Sequence, residues 1–380
     1  MGRVESVVGG AADATDEVVV ESRGPGVDEG PVDDGLVQAE AARPTHSNAT
    51  TPNRLLTTLR SPNPPAFRTD PSIPPTRRCG AGRDLVCEAE TMSNARESHI
   101  DEPVIIEAAI NGLTSKLDNP HVPRSADEIT TDIVACLEAG ATIVHNHVDT
   151  VMVDGPTAAA SYLESWQPVW DQFPGALLYP TVNAGSVEMS YSHLPYLAAA
   201  GCRIGIIDAG SVNLGDFVYS NSRSDIDHQV SICTESQLAP SMAIFEPGFL
   251  RKALQLWREG RLPLGTMIKL YFAEESGYLG GVFGLPPSEP ALEAYLSIMD
   301  GCTLPWSVAL MGGDVLESRV GPMALERGGH LHVGLEDWAG DGLSTNAEAI
   351  VKAVALCGQA GRSVADHAQT IDLLDLPDHG

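Results

Sequence analysis

The stretch "EAGATIVHNHVDT", residues 138–150, decides the fold of this chain. A helical segment closes at a glycine, an unbroken apolar run follows, and polar residues begin where that run stops. Continuous apolar runs of this kind are typical of strands in a parallel sheet that is covered on both faces. The stretch therefore predicts part of a β/α repeat, with His145 and His147 near the carboxyl end of a buried strand.

The segment before this strand has the signals of a complete helix. "PVIIEAAING" (103–112) is predicted to be a strand, and residues 125–140 to be the helix that follows it. Ser125 and Glu128 have the spacing of a capping box, in which each side chain accepts a hydrogen bond from the other residue's backbone N–H. Gly140 suits the left-handed turn that often ends a helix. Strand, helix and strand thus follow one another as in a parallel sheet.

The same alternation continues to the carboxyl terminus and gives eight strand candidates in all. Eight β/α units in about 270 residues are typical of a closed barrel. We therefore expect an α/β fold, a (β/α)8 TIM barrel, over residues 101–380. An open, doubly wound sheet is the structural alternative, but a dinucleotide-binding unit is disfavoured because no G-x-G-x-x-G joins a strand to a helix. The six further strand candidates are 176–183, 202–210, 241–246, 265–273, 305–313 and 330–337.

Residues 1–100 differ from the rest of the chain. They contain no lysine and ten of the 27 prolines, and they lack a sustained helix or strand periodicity. Such segments bury too little apolar surface to offset the loss of chain entropy on folding. We predict a disordered amino-terminal extension, with an interaction tail as the alternative. Met92 is a candidate for the true start, which would make the upstream part a gene-model extension.

The composition narrows the range of partners. The chain has 23 Lys and Arg against 51 Asp and Glu, a formal net charge of -28. This charge argues against nucleic acid and against anionic membrane surfaces as general partners. The seven cysteines include no C-x-x-C pair, which favours a reducing, cytoplasmic location. The chain has neither a run of about 18 apolar residues nor the pattern of a signal peptide at its first residues.

The carboxyl ends of the predicted strands carry polar side chains that could form one site. Active sites of (β/α)8 barrels lie at this end of the strands. Carboxylates, imidazoles and hydroxyls far apart in the sequence would therefore converge there. In chain order the candidates are Asn111, Thr114, His145, His147, Asp149, Thr181, Asn183, Asp208, Ser211, Glu246, Glu336 and Asp337.

His145 and His147 are the best candidates for metal ligands. Residues i and i+2 of a strand point to the same side, so that both imidazoles could reach one ion. Two imidazoles and a carboxylate, with one position left for water or substrate, are typical of catalytic zinc. Glu336 is the candidate carboxylate because it follows the last strand. The alternative is a pair of packed or hydrogen-bonded histidines without a metal.

A second histidine pair stands in "GGHLHVGLED" (328–337). His330 and His332 also share one face and could compete as ligands. We rank them lower as metal ligands because they lie a full turn of strand below Glu336 and Asp337. They are therefore expected nearer the bottom of the barrel. Two interpretations of Asp337 stay open. It is a structural residue, either a helix N-cap or a charge that faces solvent, or it is a general base beside the metal-bound substrate.

Five stretches between about residues 103 and 375 carry a family resemblance. In chain order they are "PVIIEAAING", "EAGATIVHNHV", "DAGSVNLGD", "GGHLHVGLEDW" and "STNAEAIVKAVALCGQAGRSVAD". Together they resemble the β-keto acid cleavage enzymes, the group named after 3-keto-5-aminohexanoate cleavage enzyme. The resemblance implies the barrel, a cytosolic setting and a homo-oligomer.

The resemblance also implies a zinc-dependent acyl exchange, in which a 3-keto acid and acetyl-CoA give acetoacetate and a new acyl-CoA. By position, His145, His147 and Glu336 match the metal ligands of the family. Asp337 matches the base, and Thr181 and Ser211 match hydroxyls that orient substrate and intermediates.

Four positions depart from the family pattern. Thr114 stands where the characterised enzyme has a glutamate, and His332 where an arginine is usual. Asp149 replaces a basic residue, and Gly313 stands where arginine is common. We interpret each departure as the loss of a charge suited to an anionic substrate. The metal ligands are intact, so that the departures predict a changed keto acid or an altered rate.

Two other functions remain open from the sequence. A metal-dependent hydrolase barrel can also use H-x-H with a late aspartate, but such enzymes carry the pair on their first strand and add histidines on middle strands, and "SMAIFE" and "GTMIKLYFA" contain none. A degenerate barrel that binds zinc without turnover is the third hypothesis.

Overall fold

The computed structural model describes residues 100–149, 153–184, 189–214, 217–275, 282–340 and 344–377. The predicted amino-terminal extension, except residue 100, and the candidate start Met92 lie outside the described residues. The predictions of disorder and of a separate first segment therefore stay predictions.

Eight parallel strands form the predicted barrel. They pair in the order β3–β2–β1–β8–β7–β6–β5–β4. At the remaining junction, Cys202 just before β4 donates its Sγ–H to the Leu178 carbonyl of β3 at 3.3 Å. The (β/α)8 TIM barrel is thus confirmed, and the open sheet was the wrong alternative. The strands are β1 Ile106–Ala109, β2 Ile143–Asn146, β3 Leu177–Pro180, β4 Ile204–Ile206, β5 Ala239–Ile244, β6 Met267–Ala273, β7 Trp306–Met311 and β8 His330–Val333.

A helix follows every strand and covers the outer face of the barrel. The first helix begins after Ser125, which forms the predicted capping box with Glu128, and it ends at Gly140 with a φ of 117°. The helices are α1 Ala126–Ala139, α2 Gly155–Gln172, α3 Leu194–Ala199, α4 Arg223–Glu235, α5 Pro247–Arg258, α6 Glu289–Ile298, α7 Val320–Glu326, α8 Asn346–Gln359 and the additional α9 His367–Leu374. Among the described residues no helix is both long and apolar enough to span a membrane.

Two helices were not predicted from the sequence. Helix α4 lies in a stretch that looks irregular because it mixes polar and β-branched residues, yet Ser222 caps it in a capping box with Asp225. Helix α9 closes the bottom of the barrel, where Leu374 and Leu376 belong to one apolar cluster with Ile143 and other residues of β2 to β6. With that end filled by apolar side chains, the opposite end is the one open to a ligand.

Candidate active site

The histidine pair is held at the top of β2 by its neighbours on both sides. His145 pairs in register with Ala109 of β1 and with Tyr179 of β3. The Asn111 side chain, just past β1, accepts a hydrogen bond from the His147 backbone N–H at 2.8 Å and donates one to its carbonyl at 3.0 Å. This clamp fixes the backbone from which the second imidazole projects.

His145 is oriented by a hydrogen bond on the far side of its ring. Its Nδ1 lies 3.2 Å from the Tyr179 carbonyl, which can only accept, and the two rings stack at 4.4 Å. The proton is therefore on Nδ1, and the Nε2 lone pair faces the site. Burial lowers the pKa of His145, against the pull of Glu336. Second-sphere carbonyl contacts of this kind are usual for histidines that bind metals.

Glu336 reaches the histidines from the turn that follows β8 rather than from the strand itself. Its backbone N–H donates to the Ala109 carbonyl at 3.1 Å, and its own carbonyl accepts from the buried Thr114 hydroxyl at 3.2 Å. Gly112 has a φ of 48°, and a Cβ there would lie 2.4 Å from Cγ of Glu336. The loop after β1 thus shapes the place that this carboxylate occupies.

The three candidate ligands converge as the sequence predicted. Glu336 Oε1 lies 3.2 Å from His147 Nε2, and Oε2 lies 3.4 Å from His145 Nε2. Ligand atoms about 2.0–2.1 Å from a tetrahedral zinc ion are separated by roughly 3.3–3.4 Å, so these spacings fit such an ion. Within the described part of the chain, the buried Oε2 has no hydrogen-bond partner.

The electrostatics of this group also fit a cation. The His145 Nε2 lone pair and a carboxylate oxygen face each other, and only a proton or a positive ion between them makes that arrangement favourable. Burial would raise the pKa of Glu336, but the neighbouring His145 and His147 hold it well below its usual range. The donor set, one carboxylate and two imidazoles, suits zinc.

Asp337 lies directly beside this group and contacts the second histidine pair. Its Oδ2 is 3.0 Å from His332 Nε2, and the carboxylate is buried. Burial raises the pKa of Asp337, while His332 pulls it down. The expectation that His332 lies a turn of strand below Asp337 was wrong, because β8 stops at Val333 and the chain turns back over it.

The second histidine pair does not join the candidate metal ligands. His330 Nδ1 accepts a hydrogen bond from the Ile105 backbone N–H at 3.1 Å, and both ring nitrogens of His332 face carboxylates. Burial would lower the pKa of His332, but Glu107 and Asp337 raise it to about 9. The interpretation that this position has lost a charge suited to an anionic substrate stays a prediction, since both ring nitrogens lie against carboxylates of the protein itself.

Three buried residues below the site were missed by the sequence analysis. Glu107, Tyr179 and Lys269 meet inside the barrel, with Lys269 Nζ 3.0 Å from Glu107 Oε1 and 2.7 Å from the Tyr179 hydroxyl. Lys269 and His332 hold the pKa of Glu107 well below its usual range, against the effect of burial. The available signal was a single charge inside each of two apolar strands, "VIIEAA" and "TMIKLYFA".

Thr181 leaves β3 next to His147, because Asn146 and Pro180 are register partners. Its backbone N–H donates to the buried Tyr162 hydroxyl at 3.1 Å, and its carbonyl accepts from His193 Nε2 at 2.9 Å. Its position is therefore fixed through its backbone, next to the candidate ligands.

The Ser211 side chain contacts the hairpin that follows β4. Its hydroxyl donates to the Asn221 carbonyl at 3.1 Å and accepts from the Asn221 N–H at 2.9 Å, which closes the hairpin of Val212–Leu214 and Phe217–Tyr219. Asp208 accepts a hydrogen bond from Tyr219, and burial raises the pKa of this carboxyl to about 6. Glu246 accepts from the Gly284 N–H at 3.0 Å. The contacts of these three side chains are thus with loops around the barrel mouth.

The rim carries one ion pair and one apolar cleft. Asp149 is exposed and lies 3.5 Å from Arg124, which also donates to the Gly112 carbonyl at 3.0 Å.

Between the loops after β7 and β8, a cleft beside Asp337 includes Gly313 in its lining. Its apolar side chains are Leu310, Val315, Leu316, Val333, Leu335, Trp338 and Ala349.

A (β/α)8 barrel with two histidines, a glutamate and a buried aspartate at its open end defines a barrel enzyme with a candidate metal centre. The sequence profile of the beta-keto acid cleavage enzymes matches residues 103–376. The chain belongs to this family, and the resemblance seen in the sequence is confirmed.

Two curated relatives align over most of the barrel. The chain is 25% identical over 284 residues to a 3-keto-5-aminohexanoate cleavage enzyme of Fusobacterium nucleatum, covering 72% of this chain and 98% of that protein. It is 28% identical over 286 residues to a 3-oxoadipate:acetyl-CoA acetyltransferase of Cupriavidus necator, covering 73% and 96%. Among solved structures, apo ObcA gives a TM-score of 0.53 at 15% identity over 68% of this chain and 66% of that chain, a likeness of fold.

Proposed function

We propose that this protein catalyses a zinc-dependent acyl exchange between a 3-keto acid and acetyl-CoA. The bond between the second and third carbons of the keto acid breaks, and its carboxyl-bearing two-carbon fragment joins the acetyl group as acetoacetate. The remaining acyl group leaves on the sulfur of CoA. The observation that carries the proposal is the cluster of His145, His147 and Glu336, with ligand spacings of 3.2 and 3.4 Å to the carboxylate, beside Asp337 in a member of this family.

Each residue of the site has a part in this reaction. His145, His147 and Glu336 would hold zinc, which when bound acts as a Lewis acid on the oxygens of the keto acid. Asp337 takes the proton from the second carbon, a step for which its buried position and raised pKa are suited. Thr181 and Ser211 orient the substrate and the intermediates; Ser211 does so by exchanging its hydrogen bonds with the Asn221 backbone for bonds to the substrate.

The cleft beside Asp337 supports a keto acid with an uncharged side chain. Where arginine is common in the family, Gly313 leaves no guanidinium, and most of the lining is apolar. The ionisable residues of the lining have both signs: Asp314 and Asp337 are acidic, and His332 and Lys352 are basic. A charged side chain would lose its hydration there without a dedicated counter-ion. The departures at Gly313 and Thr114 thus change the substrate and leave the metal ligands in place.

A substrate panel tests this proposal. Purified protein with zinc is mixed with acetyl-CoA and one of three keto acids: 3-ketohexanoate, 3-ketoadipate or 3-keto-5-aminohexanoate. The CoA esters are then identified by mass spectrometry. The proposal predicts butanoyl-CoA and acetoacetate as the fastest-formed products. A protein that binds zinc and forms no new CoA ester from any keto acid would be a non-catalytic barrel.

Two further expectations belong with this function. Acetyl-CoA is the co-substrate, supported by the name of the Cupriavidus relative. A homo-oligomer is the expected assembly, and sedimentation of the purified chain tests it.

A further inference from the structure

A chain of alternating charges runs through the barrel interior to Asp337. In order its members are Lys269, Glu107, His332 and Asp337, and none has a side chain more than 5% exposed. They come from β6, β1, β8 and the turn after β8. Ion pairs in such dry surroundings persist only when every charge has a partner.

Each of the two carboxylates in this chain has a basic side chain beside it. Glu107 and Asp337 are two carboxylates, and Lys269 can balance one of them. Its Nζ is 3.0 Å from Glu107. Asp337, the second carboxylate, has an imidazole beside it instead. His332 is the residue that faces it, at 3.0 Å.

The geometry fixes the imidazole in one orientation. Glu107 and His332 are register partners on β1 and β8, and His332 Nδ1 lies 2.7 Å from Glu107 Oε1. On the opposite edge, Nε2 lies near Asp337 and 3.4 Å from the Tyr271 hydroxyl. A carboxylate oxygen therefore lies near each ring nitrogen, and protons on both nitrogens make these two contacts favourable.

We propose that His332 is a positioning residue for Asp337, held as a doubly protonated imidazole by Glu107, which Lys269 and Tyr179 anchor in turn. This proposal rests on the proposed function in so far as Asp337 is the base. It assigns the chain from Lys269 to His332 the task of keeping Asp337 aimed at the substrate. The imidazole of His332 is short, and the Glu107 carboxylate holds it against Asp337. A longer cationic side chain could position Asp337 without such a carboxylate.

The anchoring residues should affect turnover and not substrate affinity. None of Lys269, Glu107 or Tyr179 is among the candidate metal ligands or in the lining of the cleft beside Asp337. A loss of positioning lowers kcat and leaves KM nearly unchanged, because the substrate is held by other groups. A merely structural defect would also lower the folded fraction and the zinc content of the purified protein.

The first test does not depend on catalytic activity. In protein labelled with nitrogen-15 at histidine, NMR should show both ring nitrogens of His332 protonated at neutral pH, with the resonances assigned by their absence in His332→Gln. In Asp337→Asn the Nε2 resonance should shift. One unprotonated ring nitrogen on His332 in the wild-type protein would overturn the proposal, whatever the protein does with keto acids.

The second test uses Glu107→Gln with Asp132→Asn as a matched control. Asp132 is a carboxyl on α1 bonded to Asn346 at 2.6 Å, outside the charge chain. Glu107→Gln should lower kcat at least tenfold, with KM for both substrates within about twofold and zinc content unchanged, whereas Asp132→Asn should keep wild-type kcat. A wild-type kcat in a folded Glu107→Gln protein would overturn the positioning role. If wild-type protein exchanges no acyl group at all, the proposed function fails, and the NMR measurement still decides the state of His332.

Discussion

The Cβ that any other residue would carry at position 112 would lie 2.4 Å from Cγ of Glu336. Gly112 therefore does two things: it adopts a φ of 48°, and it leaves room for a candidate metal ligand. Both requirements come from the turn that links β1 to its helix. The position of Glu336 depends on a residue far away in the sequence.

Replacing Gly112 by alanine should weaken zinc binding. The added methyl group must displace the Glu336 side chain, and the left-handed backbone costs roughly 1–2 kcal/mol in addition. Gly260→Ala is the matched control, since Gly260 has a φ of 64° and an added Cβ there would have no atom of the described residues within 4 Å. Zinc affinity measured by competition with a chelator should fall only in Gly112→Ala. Equal affinities in the two variants would show that Gly112 does not shape the ligand site.

We predict opposite effects on zinc content for substitutions in the two histidine pairs. His147→Ala should abolish stoichiometric zinc, because it removes one of three ligands. His330→Gln should keep it, because His330 bonds to the Ile105 backbone and not to the ligand group. Metal analysis of both purified variants provides the comparison. Retention of one zinc per chain in His147→Ala would place the ion elsewhere.

Asp337→Asn separates an enzyme from a zinc-binding barrel. The amide keeps the shape of the carboxyl group but cannot accept the substrate proton, and general base catalysis typically contributes about 10²–10⁴-fold to a rate. We expect kcat to fall by that order with zinc content unchanged. Unchanged turnover in this variant would exclude Asp337 as the base.

His332 should make stability depend on pH in metal-free protein. Its pKa is raised from 6.5 to about 9 on folding. The stabilisation is therefore complete below about pH 6.5 and is lost as the pH rises through about 9, with a total of about 3 kcal/mol. Urea unfolding of the wild type and His332→Gln at pH 6 and pH 9.5 measures this. The difference between the two proteins should shrink towards pH 9.5, and a constant difference would mean that His332 is neutral in the folded state.

The strands, the first helix and the candidate ligands could be predicted because their signals are local. Apolar runs mark β2, and the Ser125–Glu128 capping box and Gly140 mark α1. The charge chain could not be predicted, because Glu107 and Lys269 are 162 residues apart and only the closed barrel brings them together. The sequence shows one charged residue in an otherwise apolar strand, but it does not show which residue pairs with that charge.

The position of His332 was misjudged for a related reason. Counting residues along β8 places it well below Asp337, provided that the strand continues. The chain instead turns at Gly334, whose φ is 148°, and Asp337 returns to within 3.0 Å of the imidazole. A turn of this kind depends on contact with β1, where the Ala109 carbonyl would lie 2.0 Å from a Cβ at Gly334.

The central claim is that the acetyl group of acetyl-CoA becomes the keto end of acetoacetate. Acetyl-CoA labelled with carbon-13 at its carbonyl, incubated with 3-ketohexanoate and zinc-loaded protein, tests this by NMR. The label should appear in the keto carbon of acetoacetate and be absent from butanoyl-CoA, and no product should form in His147→Ala. Label released as acetate, or no labelled acetoacetate from any keto acid of the panel, would contradict the acyl exchange.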